Sequence, residues 1–145
     1  MAEQKLNVLF VCTGNAGRSQ IAQAMARRRF GDRVHVESAG VEPWDHLHPM
    51  AVVVMTDRGL DFSGQRAKGV AAVRDQSFDV VVTIGTPAKQ QLPADLPGDP
   101  QRIHWPIDDP ADADGTDRSE PVFRGAAELI EQRMADLADL LAPSA

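Results

Sequence analysis

Residues 6–23, LNVLFVCTGNAGRSQIAQ, leave this chain few folds to choose from. Val8, Leu9, Phe10 and Val11 form an unbroken apolar run without polar alternation, the pattern of a strand covered on both faces, as in a parallel sheet. Ile21, Ala22, Met25 and Ala26 follow at helical spacing among good helix formers. Between the two lies Cys12-Thr13-Gly14-Asn15-Ala16-Gly17-Arg18-Ser19, a short loop holding two glycines, an asparagine and the only cysteine of the protein. Strand, tight loop, helix is an order that aims backbone N–H groups and the positive end of a helix dipole at one point, where an anion is held.

The spacing inside the loop carries chemistry. A cysteine at the strand end, five residues and then an arginine put the sulfur at the floor of a ring of amide donors, with a guanidinium able to grip two oxygens of a bound anion. The thiolate is the nucleophilic form of cysteine, and such donors favour an anionic sulfur. Ser19 is placed to donate its hydroxyl hydrogen to that sulfur, while Gly14, Asn15 and Gly17 tolerate unusual backbone angles. A lone cysteine in an arbitrary strand is most simply a small buried apolar residue. The coincidence of Arg18, Ser19, two glycines and the strand-to-helix change favours a nucleophile instead. Cys12 and Arg18 are therefore the expected catalytic pair, and Thr13, Gly14, Asn15, Ala16, Gly17, Arg18 and Ser19 the expected binding loop for a small oxyanion.

At this point VLFVCTGNAGRSQ resembles the signature of the low-molecular-weight protein tyrosine phosphatase superfamily. Thr13 after the cysteine and Gln20 after Ser19 resemble its arsenate reductase branch. The resemblance runs along nearly the whole chain. It implies an α/β fold of three layers, α/β/α, around a four-stranded parallel sheet, with residues 1–145 as a single domain.

Composition sets outer bounds. At 145 residues the chain suits one domain with a real core, and no repeat, low-complexity stretch or domain boundary is visible. A net charge of -6, with no basic cluster beyond Arg27, Arg28 and Arg29, argues against nucleic acid as a partner. The N-terminal MAEQK lacks a signal-peptide pattern, and no apolar run approaches a membrane span. One cysteine excludes an internal disulfide, which suits a reducing cytoplasm. A cytoplasmic monomer or weak dimer without membrane contact is expected.

Along the rest of the chain, the first helix should end near Phe30-Gly31 and a short strand should follow over 34–38. Residues 41–48 read as a loop, and Pro49 as the opening of a helix to about Gly59. A third, weaker helix is expected over 69–76, an interior strand over 78–84, a single helical turn over 88–92 and a last strand over 102–105. Residues 122–141 close the fold as an amphipathic helix whose apolar face is Val122, Ala126, Leu129, Ile130, Met134, Leu137 and Leu141. Its acidic outer face, with Glu128, Glu131, Asp136 and Asp139, reads as solvated surface. Trp44, Asp45, His46 and His48 lack a matching set of further ligands, so no metal site is expected. The resemblance implies that Trp44 lies in a wall of the active-site cleft. It also implies, for arsenate reductases, a potassium ion held by the loop asparagine and a carboxylate near Lys68; here Lys68 supplies its own charge and no cation requirement is expected.

Residues 106–111, PIDDPA, are the second stretch with chemistry in it. All strand ends of one sense lie at one edge of a parallel sheet, so this loop can overhang Cys12, and a carboxylic acid there can protonate a leaving oxygen. Asp108 and Asp109 both qualify; the family resemblance, which places the acid immediately before the proline, selects Asp109. Tyrosine phosphatases of the family typically carry a tyrosine close after that proline, where this chain has Ala111 and no tyrosine anywhere. Arsenate reductases that use thioredoxin carry two further cysteines, where this chain has Gly85 and Leu92.

The resemblance thus implies an arsenate reductase without a tightly bound cofactor. Cys12 attacks arsenate, Asp109 supplies the proton, an external thiol such as mycothiol or glutathione attacks the adduct, and a redoxin resolves the mixed species. Phosphate or sulfate should mimic the substrate. The alternative is a phosphotyrosine phosphatase that shares every step up to the adduct and then hydrolyses it, for which one cysteine suffices. A non-catalytic sensor of arsenate or phosphate is a third reading, disfavoured by the complete set of Cys12, Arg18 and Asp109.

Overall fold

The computed structural model describes residues 5–141. Strand β1 (Leu6–Cys12) leads through the cysteine loop into helix α1 (Arg18–Phe30), then β2 (Val34–Gly40), α2 (Pro49–Asp57), β3 (Val80–Ile84), α3 (Thr86–Gln91), β4 (Gln101–Trp105) and the long α4 (Ser119–Leu141). The four strands form one parallel sheet in the order β2-β1-β3-β4. The apolar run therefore sits at the centre, paired on both edges. Phe10 aligns with Ser38 on one side and Val82 on the other.

Alternation along β1 divides the core in two. Val8, Phe10 and Cys12 face the layer that holds Ile21 of α1, Val54 and Met55 of α2, and Phe123, Ile130 and Met134 of α4. Leu9 and Val11 face a smaller cluster with Val73, Phe78, Val81, Ala88 and Leu92. Burial on both faces is what an unbroken Val-Leu-Phe-Val run demands, since no polar position exists to meet solvent. The architecture is the expected three-layer α/β/α.

Several details depart from the sequence reading. Residues 69–76 form no α-helix; only Val70–Ala72 winds, as one 3-10 turn. Gly69 is drawn into a parallel bridge with Gly40 at the free edge of β2, and the bonds that follow close at i−3, from Ala72 to Gly69 and from Val73 to Val70. β2 runs two residues further than 34–38, β3 begins at Val80, and α3 spans Thr86–Gln91. α4 starts at Ser119, and its Leu129 is 46% exposed rather than on the buried face. The acidic outer face of α4 is exposed as expected, and Glu128 and Glu131 on it also pair with Arg58, at 3.2 and 2.8 Å. Among the described residues no helix is long and apolar enough to cross a membrane.

Candidate active site

Cys12 is the last residue of β1, so the sheet fixes its Cα and the loop closes over its side chain. Its Sγ lies 2.9 Å from the Ser19 hydroxyl and accepts the Asn15 backbone N–H at 3.3 Å. Asn15 holds a left-handed backbone, φ 52°, which asparagine tolerates. Its Nδ2 donates to Ser19 Oγ at 2.8 Å, leaving the serine's own hydrogen free for the sulfur. Asn15 Oδ1 in turn accepts from Gln20 Nε2 at 3.1 Å and from the Lys68 backbone N–H at 2.9 Å. The Lys68 ammonium pairs instead with Glu37 at 3.5 Å, so Lys68 serves the loop asparagine through its main chain and not through its charge.

The carbonyls of the loop point outward. Cys12, Thr13, Gly14 and Ala16 each accept a backbone N–H from the segment after β2, those of Val41, Glu42, Trp44 and His48 respectively. Gly40 lets this segment lie close: a Cβ there would stand 2.8 Å from the Thr13 carbonyl oxygen and 2.9 Å from the Asn15 nitrogen. α1 begins without a side-chain cap at Gly17, so its first amides remain for an anion.

Arg18, the first residue of α1, is 3% exposed. Its Nη1 donates to the Ile107 carbonyl at 2.6 Å, and its Nη2 donates to Thr13 Oγ1 at 3.3 Å and lies 3.4 Å from Asp109 Oδ2. The loop after β4 thus overhangs the cysteine loop, as the parallel sheet requires. Asp109 Oδ1 also accepts the Ala111 N–H at 3.0 Å, capping a 3-10 turn over Pro110–Ala113. Cys12, Arg18, Trp44, His48, Asp109 and Phe123 line a narrow cleft of about 40 Å³. The larger open groove of about 1030 Å³, which runs past Arg27, Glu37 and Lys68, includes no residue of the cysteine loop before α1.

The structure brings together Cys12, Arg18, Ser19 and Asp109, and the loop between them, as one site. Trp44 leans on Gly14, where a Cβ would stand 2.7 Å from its Cδ1, and forms a wall of the cleft. Asp45 and His46 turn away to each other at 2.6 Å, and the His46 imidazole holds the Asp45 carboxyl below its ordinary range. Among the described residues no group of three or more His, Cys, Asp or Glu could hold a metal ion. Sequence reasoning missed the roles of Gly85, which makes room for the Arg18 guanidinium, and of His48, which binds Asp114. Gly85 had a signal, since it directly ends the interior strand at the sheet edge where the site lies; His48 and Asp114, 66 residues apart in two loops, had none.

The geometry matches known proteins along most of the chain. An arsenate reductase from Halalkalibacterium halodurans is 38% identical over 133 residues, 91% of this chain and 94% of that protein. A solved arsenate reductase in the oxidized state superposes with a TM-score of 0.79 at 27% identity, covering 94% of this chain and 98% of that one. The tyrosine phosphatase Wzb from Escherichia coli K30 shares the fold, with a TM-score of 0.78 at 21% identity over 96% of this chain and 100% of that one. With the family model for low molecular weight phosphotyrosine protein phosphatases matching residues 7–144, this chain belongs to that family.

Proposed function

We propose that this protein is an arsenate reductase that works in the cytoplasm with an external thiol. The observation that carries the reading is the Cys12 sulfur, bonded by Ser19 and the Asn15 amide, beneath Arg18 and Asp109. Relatives named arsenate reductase, the absence of tyrosine and the Asp109-Pro110-Ala111 run support the reductase branch. Arsenate occupies the ring of amides from Thr13 to Ser19, with Arg18 on its oxygens and stabilising the charge that builds up in the transition state. The Cys12 thiolate forms an S–As bond, an As–O bond breaks, and Asp109 protonates the departing oxygen so that it leaves as water. Arsenic is still pentavalent at this stage.

Reduction needs a second sulfur, and this chain has no other cysteine. The two positions matched to the extra cysteines of thioredoxin-using enzymes are committed elsewhere, Leu92 to the core and Gly85 to the space beside Arg18. The thiolate of a small thiol, mycothiol or glutathione, therefore attacks Cys12 Sγ. An S–S bond forms, the S–As electron pair passes to arsenic, and arsenite departs as As(III). A redoxin then reduces the mixed disulfide and restores Cys12.

The test is arsenate-dependent NADPH oxidation in relay systems built on mycothiol, glutathione or thioredoxin alone, with Cys12→Ser as the blank. Turnover with a small-thiol relay and none with thioredoxin alone is expected. No turnover in any relay, from a protein that hydrolyses aryl phosphates efficiently, overturns the reading in favour of the phosphatase, for which a single cysteine suffices.

A further inference from the structure

We propose that His48, acting through Asp114, is a positioning residue that holds the Asp109 acid over Cys12; the inference rests on the reaction proposed above, in which Asp109 protonates the departing oxygen. His48 is 8% exposed, its ring lying between Phe123, at a centroid distance of 4.4 Å, and Trp44, at 5.4 Å. A polar ring in that position has to place both nitrogens. Nδ1 accepts the Met50 backbone N–H at 3.0 Å, where His48 caps α2. In the neutral ring Nε2 then carries the hydrogen, and it donates to the Asp114 carboxylate, 2.9 Å from both oxygens. The His48 backbone N–H meanwhile donates to Ala16 O inside the cysteine loop. One residue is thus fastened to the anion ring, to α2 and to the segment that carries the acid.

That segment transmits the hold. From Asp109 to Asp114 the chain is a single tight turn: Asp109 caps Ala111, the Asp112 N–H donates to Asp109 O at 3.1 Å, and the Asp114 N–H donates to Ala111 O at 3.0 Å. Anchoring Asp114 therefore anchors Asp109. The other side-chain tether of Asp109 is its contact with Arg18 at 3.4 Å, and Arg18 is the group for which a bound oxyanion competes. The His48–Asp114 bond faces no such competition, so it keeps the acid in place when substrate is bound. The pairing costs a buried imidazole whose partner is 42% exposed, an arrangement that packing alone does not require.

The test compares Asp114→Ala, Asp114→Asn and His48→Gln with the wild type, reading kcat/KM for phenyl phosphate, whose leaving group needs a proton, and for 4-nitrophenyl phosphate, whose leaving group does not. Asp114→Ala and His48→Gln should lower the phenyl phosphate value by about tenfold or more, within what a general acid supplies, and the nitrophenyl value less than threefold. Arsenate turnover should lose kcat with KM unchanged. Asp114→Asn, which keeps an acceptor for Nε2–H, should stay within about threefold of wild type throughout. Hydrogen exchange at the amides of residues 111–116 should quicken at least tenfold in Asp114→Ala and not in Asp114→Asn. Equal losses on both esters, no loss on either, or unchanged exchange overturns the inference. A wild type that turns over neither arsenate nor either ester refutes the proposed reaction instead, and the exchange rates alone then decide whether His48 holds the acid segment.

Discussion

Replacing Gly85 by alanine should damage the oxyanion grip from a position that no substrate touches. Gly85 ends β3 with φ 87° and ψ 160°, a region essentially closed to other residues, and forcing a side chain there costs about 1–3 kcal/mol. The new methyl would run into Arg18 Nη1 and stand 3.3 Å from its Cζ and 3.5 Å from the Ile107 oxygen. The guanidinium has to move, and its bond to the Ile107 carbonyl, a charge-assisted one, is worth about 1.5–3 kcal/mol. The two effects together predict a loss of about 2.5–6 kcal/mol, which for a domain of this size lowers Tm by roughly 8–18 °C. Phosphate binding should weaken by about 10–100-fold, because Arg18 leaves its place over the loop. Circular dichroism melts and titration calorimetry with phosphate read the two effects separately. A variant that melts within 2 °C of wild type and binds phosphate as tightly would refute the assignment of Gly85 to Arg18.

Ser19→Ala removes the donor to Sγ and strands the buried Asn15 amide, so kcat/KM at neutral pH should fall about tenfold and stability by about 1–3 kcal/mol, read from turnover and urea midpoints. Burial, followed by the Lys89 ammonium, pushes His104 below its ordinary 6.5 against the opposing bond to Thr83, so the folded protein binds fewer protons than the unfolded chain. That contribution is complete above pH 6.5 and is lost as pH falls through the folded value; His104→Gln should flatten the decline in urea midpoint over that acid range. Ile130→Ala, at a fully buried site of α4, should cost about 2–5 kcal/mol, whereas Leu129→Ala next to it should stay within about 0.5 kcal/mol in the same melts.

The contrast between Ile130 and Leu129 shows what a sequence yields. Periodicity drew the apolar face of α4 through Val122, Ala126, Leu129, Ile130, Met134, Leu137 and Leu141; Ala126, Ile130, Met134 and Leu137 are buried, whereas Leu129 lies one helical step of about 100° from Ile130 and is exposed. The runs in β1 and β3 were legible because a strand covered on both faces has no other composition. The 69–76 segment misled, since its residues suit a helix while Gly69 is committed to a bridge with Gly40, a partner 29 residues away in sequence. In the site, Cys12, Ser19 and Arg18 are neighbours in sequence and declare themselves by spacing, and Asp109 came into view through the parallel sheet and the family resemblance. The contacts that place Arg18 and the acid segment, from the Ile107 carbonyl and from His48 to Asp114, join loops remote in sequence through backbone groups and side chains that carry no pattern.

The ladder from residues 41–48 onto the cysteine loop has a consequence for engineering. Four loop carbonyls are held by amides that belong to a different segment, which reaches them only after β2 has paired with β1. A grafted copy of residues 12–18 would bring the nucleophile and the arginine but not the backbone that turns its amides inward. It would have to order itself around each incoming anion. A transplant has to carry at least residues 6–48, with β1, α1, β2 and the flanking segment moved together, and the host must offer a sheet edge for that unit and an acceptor and a donor in place of the Ile107 carbonyl and the Lys68 amide.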